Sequence, residues 1–362
     1  MAIQCGYLGR GTVTRLEKFI KEDALRCSQC DYIPWDKLKN KKLLVTGATG
    51  LIGSSIVRIL LHINEWRALD LSILILTRST EKARKVFGAD LDKIILIHGG
   101  GYQTLPDISS DIDYIIHGAS PTSSKFFVEN PVETLETAFY GTNSLLRLAV
   151  DKNVSAFLYL SSMEVYGTPE KGTRIKESDS GSFDPAKIRN CYPLGKIVCE
   201  NLCCSYAKEY NVPVKIARLT QTFGPGVDYK DSRVFAEFAR CAVEHRDIVL
   251  KTKGQTQRDY LYTADAVSGI LTILLKGECG QAYTVANEGT YCSVYEMAGI
   301  VAETYGIGLR VQEQDVLKQG YADTLYMDLD TEKIGRLGWR PTVGLGEMYR
   351  RMIEAMGQEA GD

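Results

Sequence analysis

Short runs of Val, Ile and Leu alternate with longer amphipathic stretches from residue 41 of the chain onward. Because these runs are continuously apolar, they indicate strands that are covered on both faces, as in a parallel sheet. The predicted strands lie at 42–46, 72–77, 93–98, 114–118, 156–161 and 214–219, and the predicted helices lie at 52–64, 131–152 and 192–210. Strands that alternate in this way with helices predict an α/β fold with a doubly wound parallel sheet.

Three glycines, Gly47, Gly50 and Gly53, separate the first predicted strand from the first predicted helix. In such a loop the first glycine permits a tight turn, the second lets the backbone approach a pyrophosphate, and the third lets helix and strand pack closely. The helix N-terminus adds unpaired N–H groups and the positive end of its dipole. The loop therefore predicts a dinucleotide site on a Rossmann-type sheet. The predicted cofactor contacts in the loop are Gly47, Thr49, Gly50, Leu51, Ile52 and Gly53.

The second predicted strand ends at Thr77-Arg78-Ser79, without the acidic residue that usually holds a ribose hydroxyl in a dinucleotide site. An arginine at this place can bind a 2′-phosphate, which favours NADP. Arg78 can equally stack on an adenine or face solvent. The sequence therefore predicts NAD or NADP without choosing between them.

Tyr192 and Lys196 are four residues apart and lie on one face of their predicted helix. A tyrosine with an ordinary pKa of about 10 is a poor base, but a nearby ammonium and an oxidised nicotinamide both favour its phenolate. Ser162 follows the fifth predicted strand at the carboxyl edge of the sheet, where doubly wound folds place their chemistry. Behind a dinucleotide loop, these three residues predict hydride exchange at an alcohol or carbonyl carbon.

The 362 residues carry 43 Lys and Arg against 45 Asp and Glu, a formal charge of −2. This balance argues against nucleic acid or an anionic membrane as a partner. No apolar run reaches the roughly 18 residues that a membrane helix needs, and the first residues lack the order of a secretory signal, so we expect a cytoplasmic protein. Of the ten cysteines only Cys27 and Cys30 have metal-ligand spacing, and we therefore expect buried thiols and no metal site.

The regular alternation of strands and helices weakens after Gly224-Pro225-Gly226. We predict an N-terminal helical arm at 1–40, a dinucleotide-binding domain at 41–226, and a smaller C-terminal α/β lobe at 227–362 that mainly binds substrate. The chain can return to the first domain within 227–290. One amphipathic helix is predicted in the arm, at 14–27, and we interpret the arm as a packing element or an oligomer contact.

Residues from about 41 to 340 resemble the extended short-chain dehydrogenase/reductases, and in particular the NAD-dependent epimerase/dehydratase family that acts on nucleotide sugars. Within that family the middle of the chain is most similar to the UDP-glucuronate decarboxylases. The matching stretches are 117–121 (HGASP), 161–167 (SSMEVYG), 189–196 (RNCYPLGK), 218–238 and 255–260 (QTQRDY).

The resemblance implies that Tyr192 accepts the proton of a sugar 4-hydroxyl while hydride leaves C4 for a tightly bound, recycled NAD or NADP. The resulting 4-ketone acidifies the C5 hydrogen, or turns a C6 carboxylate into a β-keto acid. The catalytic residues that it implies are Ser162, Glu164, Tyr192 and Lys196. Further cofactor contacts that it implies are Arg78, Ala119, Tyr192 and Lys196. The substrate contacts that it implies are Ser120, Pro121, Gln221, Arg233 and Arg258.

The residue type at position 164 distinguishes the enzyme classes that share this 4-keto intermediate. By resemblance, plain 4-epimerases carry a small or hydroxyl residue at this position, whereas decarboxylases and dehydratases carry Glu. Met163 stands where glucose-type 4,6-dehydratases have Asp. We therefore expect a UDP-glucuronate-type decarboxylase whose partner is a nucleotide-diphosphate sugar. A 4-epimerase or a 4,6-dehydratase is the alternative, and an NADPH-dependent reductase is the alternative from another class. The resemblance also implies a homodimer.

Overall fold

The computed structural model describes residues 14–99, 101, 105–313 and 324–359. Within them the strands are β1 (Lys42–Thr46), β2 (Ser72–Thr77), β3 (Ile95–His98), β4 (Tyr114–His117), β5 (Ala156–Ser162), β6 (Arg174–Ile175), β7 (Val214–Leu219), β8 (Gln221–Phe223), β9 (Ile248–Leu250), β10 (Gln257–Tyr262), β11 (Gln281–Val285), β12 (Asn287–Ser293), β13 (Leu309–Val311) and β14 (Tyr326–Leu329). The α-helices in these ranges are α1 (Arg15–Ser28), α2 (Leu51–Arg67), α3 (Thr80–Phe87), α4 (Ser124–Glu129), α5 (Pro131–Asp151), α6 (Cys191–Tyr210), α7 (Val234–Val243), α8 (Thr263–Lys276), α9 (Val294–Tyr305), α10 (Glu332–Gly335) and α11 (Leu345–Glu359).

Seven strands form one sheet in which all neighbours are parallel, in the order β3-β2-β1-β4-β5-β7-β11. The predicted doubly wound parallel sheet is confirmed. Strand β3 begins at Ile95, later than the predicted residue 93, because Gly88–Lys93 forms a 3-10 helix. The strand order reverses between β1 and β4, and their carboxyl ends therefore form the switch point at which doubly wound sheets bind ligands.

Both faces of this sheet are buried, as the continuous apolar runs predicted. Leu43 and Val45 of β1 belong to a buried cluster that includes residues of α2 and α8. Leu44, whose side chain lies on the opposite face, belongs to a second cluster with residues of α5 and α6. The alternation along one strand thus fills two layers of core, and the carboxyl edge of the sheet is left for chemistry.

A smaller sheet has the order β12-β10-β14-β6, in which β8 also pairs with β10, and it joins C-terminal strands to β6 from the middle of the chain. Strand β8 begins two residues after β7 ends, so this sheet starts directly beside the large one. Strand β11 pairs in parallel with β7 at the edge of the large sheet. The two sheets therefore meet where β7 continues into β8.

Helix α1 is capped by Thr14, whose side chain accepts from the Glu17 backbone while the Glu17 side chain accepts from Thr14. Buried Asp23 of this helix accepts a hydrogen bond from Tyr262 at 2.7 Å and one from Arg351 at 3.1 Å. Burial raises the pKa of Asp23 to about 6, although these two partners oppose the rise. Residues 1–13 of the predicted arm lie outside the described residues. No helix in the described ranges is long and apolar enough to cross a membrane.

Candidate active site

The turn after β1 brings the glycine loop against the end of β4. Gly47 has a φ of +70°, and a Cβ on it would lie 2.6 Å from the carbonyl carbon of Gly118. A Cβ on Gly53 would lie 2.7 Å from the Cα of Ala48, so helix α2 packs onto the loop only because this residue is glycine. Gly50 precedes α2 and has ordinary space around it, with the nearest atom 3.4 Å from an added Cβ.

All six loop residues that the sequence assigned to the cofactor lie at the carboxyl end of β1. Thr49 and Gly50 end the loop, and Leu51 and Ile52 open α2, whose first N–H groups have no partner within the helix. Arg78 follows β2, the neighbouring strand. Its side chain is exposed and makes no hydrogen bond or ion pair with the residues that the structure describes.

A buried relay of hydrogen bonds fixes the loop after β4. The Ala119 N–H donates to Thr46 Oγ1 at 3.3 Å, and Thr46 Oγ1 lies 2.7 Å from His117 Nδ1. The other ring nitrogen of His117 lies 3.1 Å from Thr142 Oγ1. Burial lowers the pKa of His117 to about 3, so the ring is neutral, and one ring nitrogen donates a hydrogen bond while the other accepts one. The relay holds Ala119 beside the glycine loop, while Ser120 Oγ donates to the Pro121 carbonyl.

Ser162 and Glu164 lie where β5 passes into a 3-10 helix that spans Met163–Tyr166. Ser162 Oγ accepts from the Glu164 N–H at 3.2 Å, which fixes the turn. A second hydrogen bond joins Ser162 to the Tyr192 side chain and favours its phenolate. The structure therefore brings together three residues that lie up to 30 positions apart in the sequence.

Tyr192 and Lys196 lie on one face of α6, as their spacing predicts. Lys196 Nζ donates to the Leu160 carbonyl of β5 at 2.8 Å and lies 5.8 Å from the centre of the Tyr192 ring. Burial lowers the pKa of Lys196 to about 8. Burial also raises the pKa of Tyr192, and the charge of Glu164 raises it further. Burial thus outweighs the positive charges that the sequence suggested would favour a phenolate.

The predicted substrate residues form two groups. Gln221 on β8 accepts from Arg258 on the neighbouring strand β10 at 3.3 Å. Arg258 Nε is buried and has no hydrogen-bond partner among the described residues. Arg233 precedes α7 and binds Asp231 through two nitrogens. The charge of Arg233 lowers the pKa of Tyr192.

Several residues of the site were missed by the sequence analysis. Arg189 Nη2 binds Glu164 at 3.0 Å, and the Phe127 ring stacks on Tyr192 with 4.3 Å between ring centres. Glu200 lies behind the site and accepts from Ser161 and from Arg218. Glu200 stands four residues after Lys196, so helical spacing could have found it. Arg189 begins the matching stretch 189–196 but was assigned no role, and no local pattern marks Phe127.

The conformation of Gly47 makes a direct test of the loop possible. We expect Gly47→Ala to lower the free energy of unfolding by about 1–3 kcal/mol, because alanine is strained at this φ and its methyl group meets Gly118. We expect Gly50→Ala, at a φ of −88° with an added Cβ no closer than 3.4 Å to its nearest neighbour, to stay within about 1 kcal/mol of the wild type. Urea unfolding of the three proteins measures both effects. Equal stability of the two variants would contradict this account of the loop.

Comparison with known proteins places these features in a family. A model of the NAD dependent epimerase/dehydratase family matches residues 43–286. UDP-glucuronic acid decarboxylase 6 of Arabidopsis thaliana is 30% identical over 317 residues, which cover 87% of this chain and 88% of that protein. UDP-glucuronic acid decarboxylase 1 of Xenopus tropicalis is 29% identical over 322 residues, which cover 88% of this chain and 73% of that protein.

Solved structures share the fold over nearly the same extent. A dTDP-glucose 4,6-dehydratase of Streptomyces venezuelae, with NAD and TYD bound, has a TM-score of 0.72 and 25% identity, covering 88% of this chain and 98% of that chain. A UDP-glucose 4-epimerase of Thermotoga maritima, with UDP-glucose, has a TM-score of 0.74 and 20% identity, covering 88% of this chain and 99% of that chain.

Proposed function

The chain belongs to the NAD-dependent epimerase/dehydratase family and is an enzyme, and on this premise we propose that it decarboxylates UDP-glucuronate through a 4-keto sugar. The observation that carries the proposal is the meeting of Ser162, Glu164 and Tyr192 at the carboxyl edge of the sheet. The 30% identity to a UDP-glucuronic acid decarboxylase over 87% of the chain supports the substrate class.

We propose NAD as the cofactor, because the glycine loop fits a dinucleotide and a related dehydratase was solved with NAD bound. The turn at Gly47 leaves no room for a Cβ between the two strand ends, and the first N–H groups of α2 are free for a phosphate. When bound, NAD supplies the two-electron acceptor that takes up and returns the C4 hydrogen. Exposed Arg78 favours NADP instead. The mass of the dinucleotide released on denaturation decides between the two. The residues that would hold the cofactor are Gly47, Thr49, Gly50, Leu51, Ile52, Gly53, Ala119, Tyr192 and Lys196.

The substrate proposal rests on a buried donor without a partner. Arg258 Nε makes no hydrogen bond within the described residues, and a buried guanidinium donor is suited to an anionic ligand such as a diphosphate. Gln221 Oε1 accepts from Nη1 of the same guanidinium at 3.3 Å. We propose that these two residues, Arg233, Ser120 and Pro121 bind the nucleotide sugar, and that the C-terminal lobe supplies most of its site.

Tyr192 would act as the base that removes the proton of the sugar 4-hydroxyl. Ser162 donates a hydrogen bond that favours the phenolate, and the Arg189 and Arg233 charges act in the same direction. Lys196 would orient the cofactor while its ammonium stays bonded to the Leu160 carbonyl. These groups counteract the burial that otherwise keeps the phenol protonated.

Position 163 favours decarboxylation over glucose-type dehydration. Met163 is buried and its sulfur accepts a hydrogen bond from Thr220 at 3.2 Å, so no acid at this position can protonate a departing hydroxyl. Carbon dioxide leaves without a proton, and only the enolate that remains must be protonated. Glu164 can take up a proton from solvent and pass it on to C5. A 4-epimerase would need no carboxylate at that place.

Incubation of the purified protein with UDP-glucuronate, and in parallel with nucleotide hexoses, followed by mass spectrometry, tests the proposed reaction. We expect a UDP-pentose that is lighter by carbon dioxide, with no net change in the dinucleotide. A product of unchanged mass would indicate a 4-epimerase, and loss of water from a nucleotide hexose would indicate a 4,6-dehydratase. A gain of two hydrogens with matching consumption of NADPH would indicate a reductase. Each of these three results would contradict the proposal.

Replacing Tyr192 tests the shared first step. We expect Tyr192→Phe to lower kcat about 10²- to 10⁴-fold, because phenylalanine keeps the stack on Phe127 and cannot accept the proton. Binding of the dinucleotide and of UDP-glucuronate should stay close to wild type. Tyr210→Phe, at the exposed end of the same helix, is the matched control and should keep full activity. Activity near wild type in Tyr192→Phe would reject this residue as the base.

Replacing Glu164 tests the step that follows oxidation at C4. We expect Glu164→Gln to stall after that oxidation, because an amide cannot exchange a proton near C5. Reduced dinucleotide should then accumulate, and its near-ultraviolet absorbance measures it. Glu129→Gln removes a carboxylate from an exposed pair with Lys125 and serves as the control. Normal product formation by Glu164→Gln would contradict the role of this carboxylate.

We also propose that the protein forms a homodimer through α5 and α6. Val132, Leu135 and Phe139 are exposed apolar residues of α5, and Val198 is an exposed apolar residue of α6, which packs beside α5. Burial of such a face in a helix-to-helix contact is favourable. Sedimentation velocity measures the state, and a monomer at micromolar concentration would contradict the dimer.

A further inference from the structure

Arg189 connects three parts of the candidate site. It lies in a 3-10 helix, Ile188–Asn190, directly before α6. Its Nη2 donates to both carboxylate oxygens of Glu164, at 3.0 and 3.2 Å. The two side chains are only 24% and 27% exposed, so the ion pair is partly shielded from water and stronger than a surface pair.

The same guanidinium packs on the aromatic stack that holds the phenol. Its central carbon lies 5.1 Å from the centre of the Phe127 ring. That ring is buried and lies nearly parallel to Tyr192, at 9° and 4.3 Å between centres. A planar guanidinium can both bind a carboxylate and stack on a ring, whereas a lysine ammonium can do only the first well. Arg189 therefore fixes Glu164 and the Tyr192 stack relative to one another.

The charges around Tyr192 shift its pKa in opposite directions, and Arg189 offsets the effect of Glu164. Glu164 disfavours a phenolate, while Arg189 and Arg233 favour it. Arg233 is already engaged by Asp231. Lys196, on the same helix as Tyr192, is bonded to a backbone carbonyl. Of these cations, only Arg189 is bonded to Glu164 itself.

We propose that Arg189 is a positioning residue: it holds the Glu164 carboxylate beside Tyr192 and balances its charge, so that a carboxylate and a phenolate can be present in one site. The chemical roles of Glu164 and Tyr192 rest on the proposed function. The ion pair and the aromatic stack do not depend on it. This role explains a partly buried ionic contact that neither the fold nor the glycine loop requires.

A titration that needs no substrate tests the proposal. A polyfluorinated tyrosine at position 192, more acidic than tyrosine, brings its ionisation into the range in which the protein stays folded, and fluorine NMR reports its pKa. We expect Arg189→Gln to raise this pKa by about one pH unit. Glu164→Gln should lower it, and the double variant should return it toward the wild-type value. Arg189→Lys keeps the charge and should change the pKa by less than Arg189→Gln.

The controls separate this inference from the proposed reaction. Arg336→Gln removes an arginine from an exposed pair with Glu332 and should leave the titration unchanged. An Arg189→Gln titration equal to wild type, or a double variant equal to Arg189→Gln alone, would overturn the proposal. In turnover of UDP-glucuronate we expect Arg189→Gln to lower kcat about tenfold near neutral pH, with recovery at higher pH and little change in KM. If the wild-type protein releases no carbon dioxide from UDP-glucuronate, the proposed reaction is rejected. The titration still tests the role of Arg189 in that case.

Discussion

The placement of the site depends on one buried charge, the Lys196 ammonium, and on the Leu160 carbonyl that accepts its hydrogen bond. The two atoms are 2.8 Å apart, and Lys196 is almost fully enclosed between α6 and β5. A buried charge without a partner costs several kcal/mol, so any shift of α6 away from β5 is opposed. Tyr192, one turn earlier on the helix, is thereby held at the end of β5, beside Ser162.

Helix α6 has three polar side chains that contact residues of strand β5. Tyr192, Lys196 and Glu200 stand four residues apart, which places them on one helix face. The first meets Ser162, the second meets the Leu160 carbonyl, and the third accepts from Ser161 and from Arg218 of β7. Sliding the helix by one turn would break all three contacts at once. The position of Tyr192 therefore depends in part on the ion pair between Glu200 and Arg218.

The features of the site that depend on residues close together in the sequence were predictable. The bounds of β1, β2 and β7 follow from their apolar runs, and Gly47 and the pair Tyr192 and Lys196 follow from position and spacing. The contacts of Phe127 and Arg189 were not predictable, because folding brings their partners close from distant parts of the chain. The direction of the Tyr192 pKa shift was not predictable either, because burial determines it and burial depends on the folded structure.

In the proposed reaction, hydrogen leaves C4 of the sugar and returns to the same carbon within one turnover. UDP-glucuronate that carries deuterium at C4 tests this most directly, with the wild-type protein and mass spectrometry of the product. We expect a UDP-pentose that retains the deuterium, formed with release of carbon dioxide and no net change in the dinucleotide. A pentose product that has lost the deuterium to solvent would contradict it.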